Sequence, residues 1–277
     1  MKNLISNRRT LLSSPYLLWV LGFTIIPMIV IFKYAFFGEN GSFTLSNVLA
    51  MGDNIHLKAT LFSLEIAAGC TVLCILLSYP LIMALRRLKL GGKGFSIFIL
   101  ILPMWMNFIL RVLALQIILS NNGILSKLSI FLTGQSLHIA NSWVAIMIGV
   151  VYDYFPFMAL PIFNAITEID EDIIDAARDL GAGPFTIFFK IILPLSKPGL
   201  FSGIVMVFVP SMTSFVVSDI LGGGKLQLIG NIIEQEFTRS MDWGLGSGLS
   251  VVLMVFVMVS MAFTMKNDEE GNSSAIW

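Results

Sequence analysis

Charge is what this sequence has least of. Only 12% of its 277 residues are Asp, Glu, Lys or Arg, against about 25% in an ordinary soluble domain. The formal net charge is zero, and no basic run is long enough to make a nucleic-acid surface. Cysteine is almost missing: Cys70 and Cys74 are the only two. That excludes a disulfide framework and any zinc spacing. Standing four apart, the two thiols are expected to act as small apolar groups on one helix face. Histidine is as sparse, with His56 and His138 in polar connections and no Gly-x-Ser-x-Gly elbow beside them, so an intramembrane hydrolase lacks its machinery. A phosphate-binding loop is absent too. Neither Lys93 nor Lys225 has the spaced glycine before it or a Ser or Thr after it.

What fills the chain is apolar: 56% of it is hydrophobic. A helix needs about 20 mostly apolar residues to cross a bilayer, because in hydrocarbon every backbone N–H and C=O must be bonded within the segment. Six stretches qualify, at 15–37, 58–85, 95–120, 139–163, 199–221 and 246–265. They are too long, and alternate too little, to be barrel strands. The predicted fold class is an all-α membrane protein, with 1–277 forming a single transmembrane domain, since no connector is long enough for a second domain of about 50 residues.

Lys and Arg concentrate on the cytoplasmic side of membrane proteins. With the N-terminus inside, that side holds Lys2, Arg8, Arg9, Arg86, Arg87, Lys89, Lys93, Arg178, Lys190, Lys197 and Lys266. The opposite side holds Lys58, Lys127, Lys225 and Arg239. Both termini are therefore expected in the cytoplasm. Arg8-Arg9 ahead of an apolar run is read as a positive-inside anchor, because the run exceeds the length of a signal-peptide core.

The longest connector on the inner side, about 164–198, has helical periodicity with its own start and stop signals. Asp170 suits an N-cap, Glu171 and Asp172 place negative charge at the helix start, and Arg178 sits near the end. Gly181 supplies a left-handed terminus. Ile173, Ile174, Ala177 and Leu180 make an apolar stripe opposite Asp175 and Asp179. Pro184 fits the first position of a second helix, which Pro194 and Pro198 are expected to interrupt.

Written out, the region reads Asp175-Ala176-Ala177, three residues, Gly181, nine residues, then Ile191-Ile192-Leu193-Pro194. This resembles the EAA loop of permeases in binding-protein-dependent ABC importers, with Asp175 where the consensus has Glu. The resemblance extends over nearly the whole chain, through Pro103–Arg111, Asp175–Pro198 and Phe215–Gly230, and is to permeases of spermidine/putrescine importers. It implies a type I ABC importer permease fold in a bacterial inner membrane, with a cytoplasmic coupling helix. Asp175, Ala176, Ala177, Arg178, Gly181, Ile191, Leu193 and Pro194 would then contact or position an ATPase. It also implies four partners: a homologous second permease, two ATPase subunits that bind ATP and Mg, and an external substrate-binding protein. No cofactor is expected in this chain. A permease for another solute, or a channel or secondary transporter, is the alternative that six spans with sparse charge also permit.

Ionisable groups inside spans cost about 2.5–3.5 kcal/mol each at the bilayer centre, so each needs a reason. Glu65 and Arg111 match in depth at about 1.5 Å per residue, which makes them a candidate structural ion pair. Asp153, between Tyr152 and Tyr154 and before the helix-disturbing Pro156, suits an alkylammonium. Asp219 near the outer end of the fifth span, and Trp105 and Asn107 after Pro103, complete the candidate substrate pathway.

Overall fold

The computed structural model describes residues 15–273 apart from 17, 39–40, 89–91 and 137, and omits the side chains of 87–88, 92–94, 96, 99 and 263–273. The basic N-terminal segment with Lys2, Arg8 and Arg9, residue Lys89, and the side chains of Arg87, Lys93 and Lys266 lie outside the described residues. In chain order, a π-helical turn Leu21–Ile25 continues into α1 (Ile26–Phe36). There follow α2 (Asn54–Leu88), α3 (Gly92–Ile101), α4 (Phe108–Leu119), α5 (Ile124–Thr133) and α6 (Trp143–Thr167). Then come α7 (Glu171–Asp179), a helical segment Pro184–Leu195, α8 (Lys197–Met212), α9 (Phe215–Leu221), α10 (Ile229–Thr238) and α11 (Trp243–Ser273).

Five described helices are long and apolar enough to cross a membrane, or six if Pro184–Leu195 and Lys197–Met212, bent by 68°, count as one. Each of the six predicted stretches falls mainly on helix among the described residues, the fourth beginning only at Trp143, but two are broken within. The stretch 95–120 breaks between α3 and α4, where Leu102–Trp105 tightens to a 3-10 turn and Met106 is extended. Pro103 supplies no N–H there, and the Asn107 side chain accepts from Ile109 N and Leu110 N, capping a new helix. The stretch 199–221 breaks at Thr213–Ser214, just after Pro210. By contrast, Pro156 and Pro161 sit inside α6 without ending it, as packed membrane helices tolerate. Pro194 likewise does not stop its helix. A π-helical turn, Phe188–Ile192, leads into it, and the bend falls after Leu195 instead.

The described residues form two compact units. One takes in residues up to Leu57 together with Ile233–Phe256. Here Asn47 Nδ2 donates to the Tyr34 carbonyl at 3.2 Å, and Trp243 packs against Tyr34 and Phe237 with ring centroids 6.0 and 5.6 Å apart. Gly248 lies flat on the Asn47 backbone, where a Cβ would collide with its carbonyl.

The other unit, Lys58–Ile232 with the chain from Val257, is built on α6. Ile146, Val150, Met158, Ala159, Ile162 and Ile166 along that helix are fully buried. Lipid is as apolar as a side chain, so membrane helices associate through close packing at small residues more than by escaping solvent. Gly199 and Gly203, one turn apart on α8, meet Pro161 and Met158 of α6. A Cβ at Gly199 would lie 2.7 Å from Ala165 Cβ and collide with the Pro161 carbonyl. Gly149 admits Val217 and Leu221 of α9 in the same way. Cys70 and Cys74 are free, fully buried and 3.9 Å apart, acting as the small apolar residues expected.

Candidate functional site

Segment 168–196 obeys local rules closely. Asp170 accepts from Asp172 N at 3.1 Å and opens α7, with Glu171 and Asp172 in the first turn. Gly181 has φ +82°, in the left-handed region, and Ala182 N closes back on the Ala177 carbonyl at 2.9 Å, the end expected of a glycine-terminated helix. Pro184 begins the next turn. The apolar stripe divides. Ile174 is buried and Ala177 half-buried, whereas Ile173 and Ala176 are exposed and Leu180 is 89% exposed. Phe185, at 79%, joins that outward surface. Asp175 is also exposed, in an ion pair with Arg178 at 2.6 Å. Ile191 and Leu193 are half-buried and Pro194 is exposed. Ile173, Ala176, Leu180 and Phe185 thus present small and apolar groups outward from a capped rod.

The second site is intramembrane. Arg111 of α4 and Asp153 of α6 are 7% and 2% exposed, and Arg111 Nε lies 2.7 Å from Asp153 Oδ1. This is an ion pair by distance, with its N–H not aligned for a hydrogen bond. Arg111 also donates from Nη1 to the Pro103 carbonyl at 2.9 Å, and its guanidinium lies 5.5 Å from the Tyr152 ring centre and 5.9 Å from that of Phe108. The predicted Glu65–Arg111 pair is therefore corrected. Matching depth does not fix which way a side chain points around its helix, and Glu65 is exposed on α2. The cation over the aromatic faces beside Asp153 is the chain's own arginine.

The remaining pathway candidates have separate surroundings, apart from Tyr152, whose ring faces the Arg111 guanidinium paired with Asp153. Trp105 is 77% exposed and stacks edge-on with Phe98. Asn107 is used as the cap of α4. Tyr152 is partly exposed, and Tyr154 donates from its hydroxyl to the Pro210 carbonyl at 3.3 Å. Asp219 is exposed and accepts from Asn231 at 3.3 Å.

A family model described as "Binding-protein-dependent transport system inner membrane component" matches residues 72–266. The chain belongs to that family. Among curated relatives, "Spermidine/putrescine transport system permease protein PotB" of Haemophilus influenzae is 33% identical over 247 residues, covering 86% of both chains. The protein of the same name in Escherichia coli is 34% identical over 245 residues, covering 86% of this chain and 89% of its own. A solved bacterial ABC transporter involved in import of alginate has a chain that shares the fold, with TM-score 0.76 at 16% identity and coverage of 98% and 99%.

One residue of this permease was not singled out from the sequence. Asn231 is 1% exposed; its Oδ1 accepts from Leu228 N at 2.9 Å, and its Nδ2 donates to the Phe215 carbonyl at 3.1 Å and to Asp219. Ser63 extends this network, accepting from Ile229 N at 2.8 Å. Together they fold the segment from α9 to the start of α10 back on itself, as buried backbone in a membrane requires. An isolated Asn in an apolar run could have flagged the position, but not its partners.

Proposed function

We propose that this permease carries polyamines, spermidine and putrescine, inward across a bacterial inner membrane by alternating access, with both termini in the cytoplasm. Two separate ATPase subunits holding ATP and Mg drive it, beside a homologous second permease and an external substrate-binding protein. The observation that carries the substrate is the identity of 33% to a spermidine/putrescine permease, spread over 247 residues rather than confined to the shared loop. Among the described span residues, the exposed carboxylates Glu65 and Asp219 and the exposed Trp105 ring are open to an alkylammonium, while Asp153 and Arg111 brace α6 against α4. The test is uptake of labelled spermidine and putrescine into vesicles holding the whole complex: ATP-dependent uptake is expected, and a complex that hydrolyses ATP without accumulating either polyamine refutes the substrate.

The segment 168–196 is the docking rod for an ATPase. Its outward Ala176, Leu180 and Phe185 supply a small apolar surface of the kind a helix lays into a groove. Asp175, Arg178 and Gly181 shape the rod, and Ile191, Leu193 and Pro194 root it. Gly181→Pro forces φ to about −65° where +82° is needed. The variant is expected in the membrane at normal abundance but without copurifying ATPase; normal copurification contradicts the docking role.

A further inference from the structure

We infer that α2 clamps both roots of segment 168–196 through Arg86 and Tyr79, making these two residues positioning residues that convert movement of the rod into movement of a membrane helix. The inference rests on the docking role proposed for that segment. At the entry root, Arg86 donates from Nη1 to the Ile166 carbonyl and from Nη2 to the Ile169 carbonyl, each at 3.3 Å, and its Nε stands 4.0 Å from Glu171 Oε1. One guanidinium therefore holds the last turn of α6, the connector and the first residue of α7. At the exit root, Ser196 marks the 68° bend into α8 and is fully buried. Its hydroxyl donates to the Leu193 carbonyl at 3.2 Å, which leaves it to accept from the Tyr79 hydroxyl at 2.9 Å. The Tyr79 ring, 5% exposed, also packs edge-on against Phe188 at 5.4 Å.

Tyr79 and Arg86 are seven residues apart, close to two helical turns, so they share one face of α2. Between the two grips lies a cavity of about 460 Å³ lined by Met83, Ile174, Ala182, Pro184 and Ile187 as well as Arg86. The middle of the segment borders this open cleft, which Glu171, Asp175 and Arg178 also line, while its ends are tied. Force applied to the outward surface of α7 reaches α2 through the two polar grips, and the covalent path through α6 and α8 moves with it.

The test uses the complete complex in vesicles, reading ATPase copurification, ATP hydrolysis and polyamine taken up per ATP hydrolysed. Arg86→Ala is expected to keep the ATPase bound and hydrolysing while uptake per ATP falls about tenfold, the loss that goes with charge-assisted hydrogen bonds. Tyr79→Phe keeps the ring against Phe188 and removes one hydroxyl, so uptake per ATP is expected to fall roughly threefold. Arg86→Lys, which retains the charge but cannot fork to two carbonyls, is expected to recover only part of the loss. Uptake per ATP equal to the parent in Arg86→Ala and Tyr79→Phe, with the ATPase bound, overturns the clamp. If Arg86→Ala fails to assemble, Tyr79→Phe alone decides. Loss of copurification in Gly181→Pro together with parental coupling in Tyr79→Phe would keep the docking role and discard the clamp.

Discussion

Two ion pairs of nearly equal length hold very different positions in this permease. Asp175 and Arg178 meet at 2.6 Å on the outer surface of α7, with side chains 60% and 63% exposed. Arg111 and Asp153 meet at 2.7 Å between α4 and α6, with side chains 8% and 2% exposed. Distance alone would rank them together. The exposed pair is screened by water and joins neighbours on one turn, so it contributes about 0.3–0.5 kcal/mol. The buried pair has already lost the hydration of both charges, and removing one member strands the other. The outer pair shapes a surface, and the inner pair decides whether two helices tolerate each other.

The largest effect should come from breaking the buried pair on one side. Asp153→Ala leaves the Arg111 guanidinium without its counter-charge, at about 3–5 kcal/mol, and should sharply reduce the monodisperse fraction recovered in detergent. Replacing both members, Arg111→Met with Asp153→Leu, should restore much of that fraction. A double variant no better recovered than the single one would show that the two charges do not depend on each other.

Two glycines carry the same contrast at a smaller scale. Gly199 needs room, since a Cβ would collide with the Pro161 carbonyl across the α6–α8 contact, whereas Gly181 has open space but a φ of +82°. Gly199→Ala should cost about 1–3 kcal/mol through overpacking, read as a lower thermal midpoint of the purified permease. Gly181→Ala should cost only about 1–2 kcal/mol, from the left-handed backbone. A larger shift in Gly181→Ala than in Gly199→Ala would mean that the helix contact is looser than its geometry indicates.

The smallest change is Asp175→Asn. It removes the exposed pair and should move stability by no more than about 0.5 kcal/mol. If the Asp175 carboxylate contacts the ATPase, affinity for that subunit, measured on the assembled complex, should still fall. A stability change as large as that of Asp153→Ala would erase the distinction between the two pairs.

The same contrast explains what could be read from the sequence. The cap at Asp170, the left-handed Gly181 and the helix start at Pro184 depend on residues within a turn of one another, so local chemistry determines them. Spacing also carried the EAA-like pattern and the family. The partner of Arg111 depends on how α2, α4 and α6 are rotated about their axes, which depth along the helix does not encode. Counting apolar residues likewise located the stretch 95–120 but missed its break, because the Asn107 side chain competes for backbone N–H groups that a length criterion assumes to be helical. The partners of Asn231 were hidden for a similar reason: all three come together only once the segment has folded back.

The bare Leu180 and Phe185 side chains have a consequence for the cell as well as for transport. On the docking role proposed for this segment, a copy made without its ATPase carries them uncovered into water, where such apolar surface invites aggregation and the attention of chaperones and proteases. Matched synthesis of all the subunits would protect the chain, and surplus molecules should be short-lived.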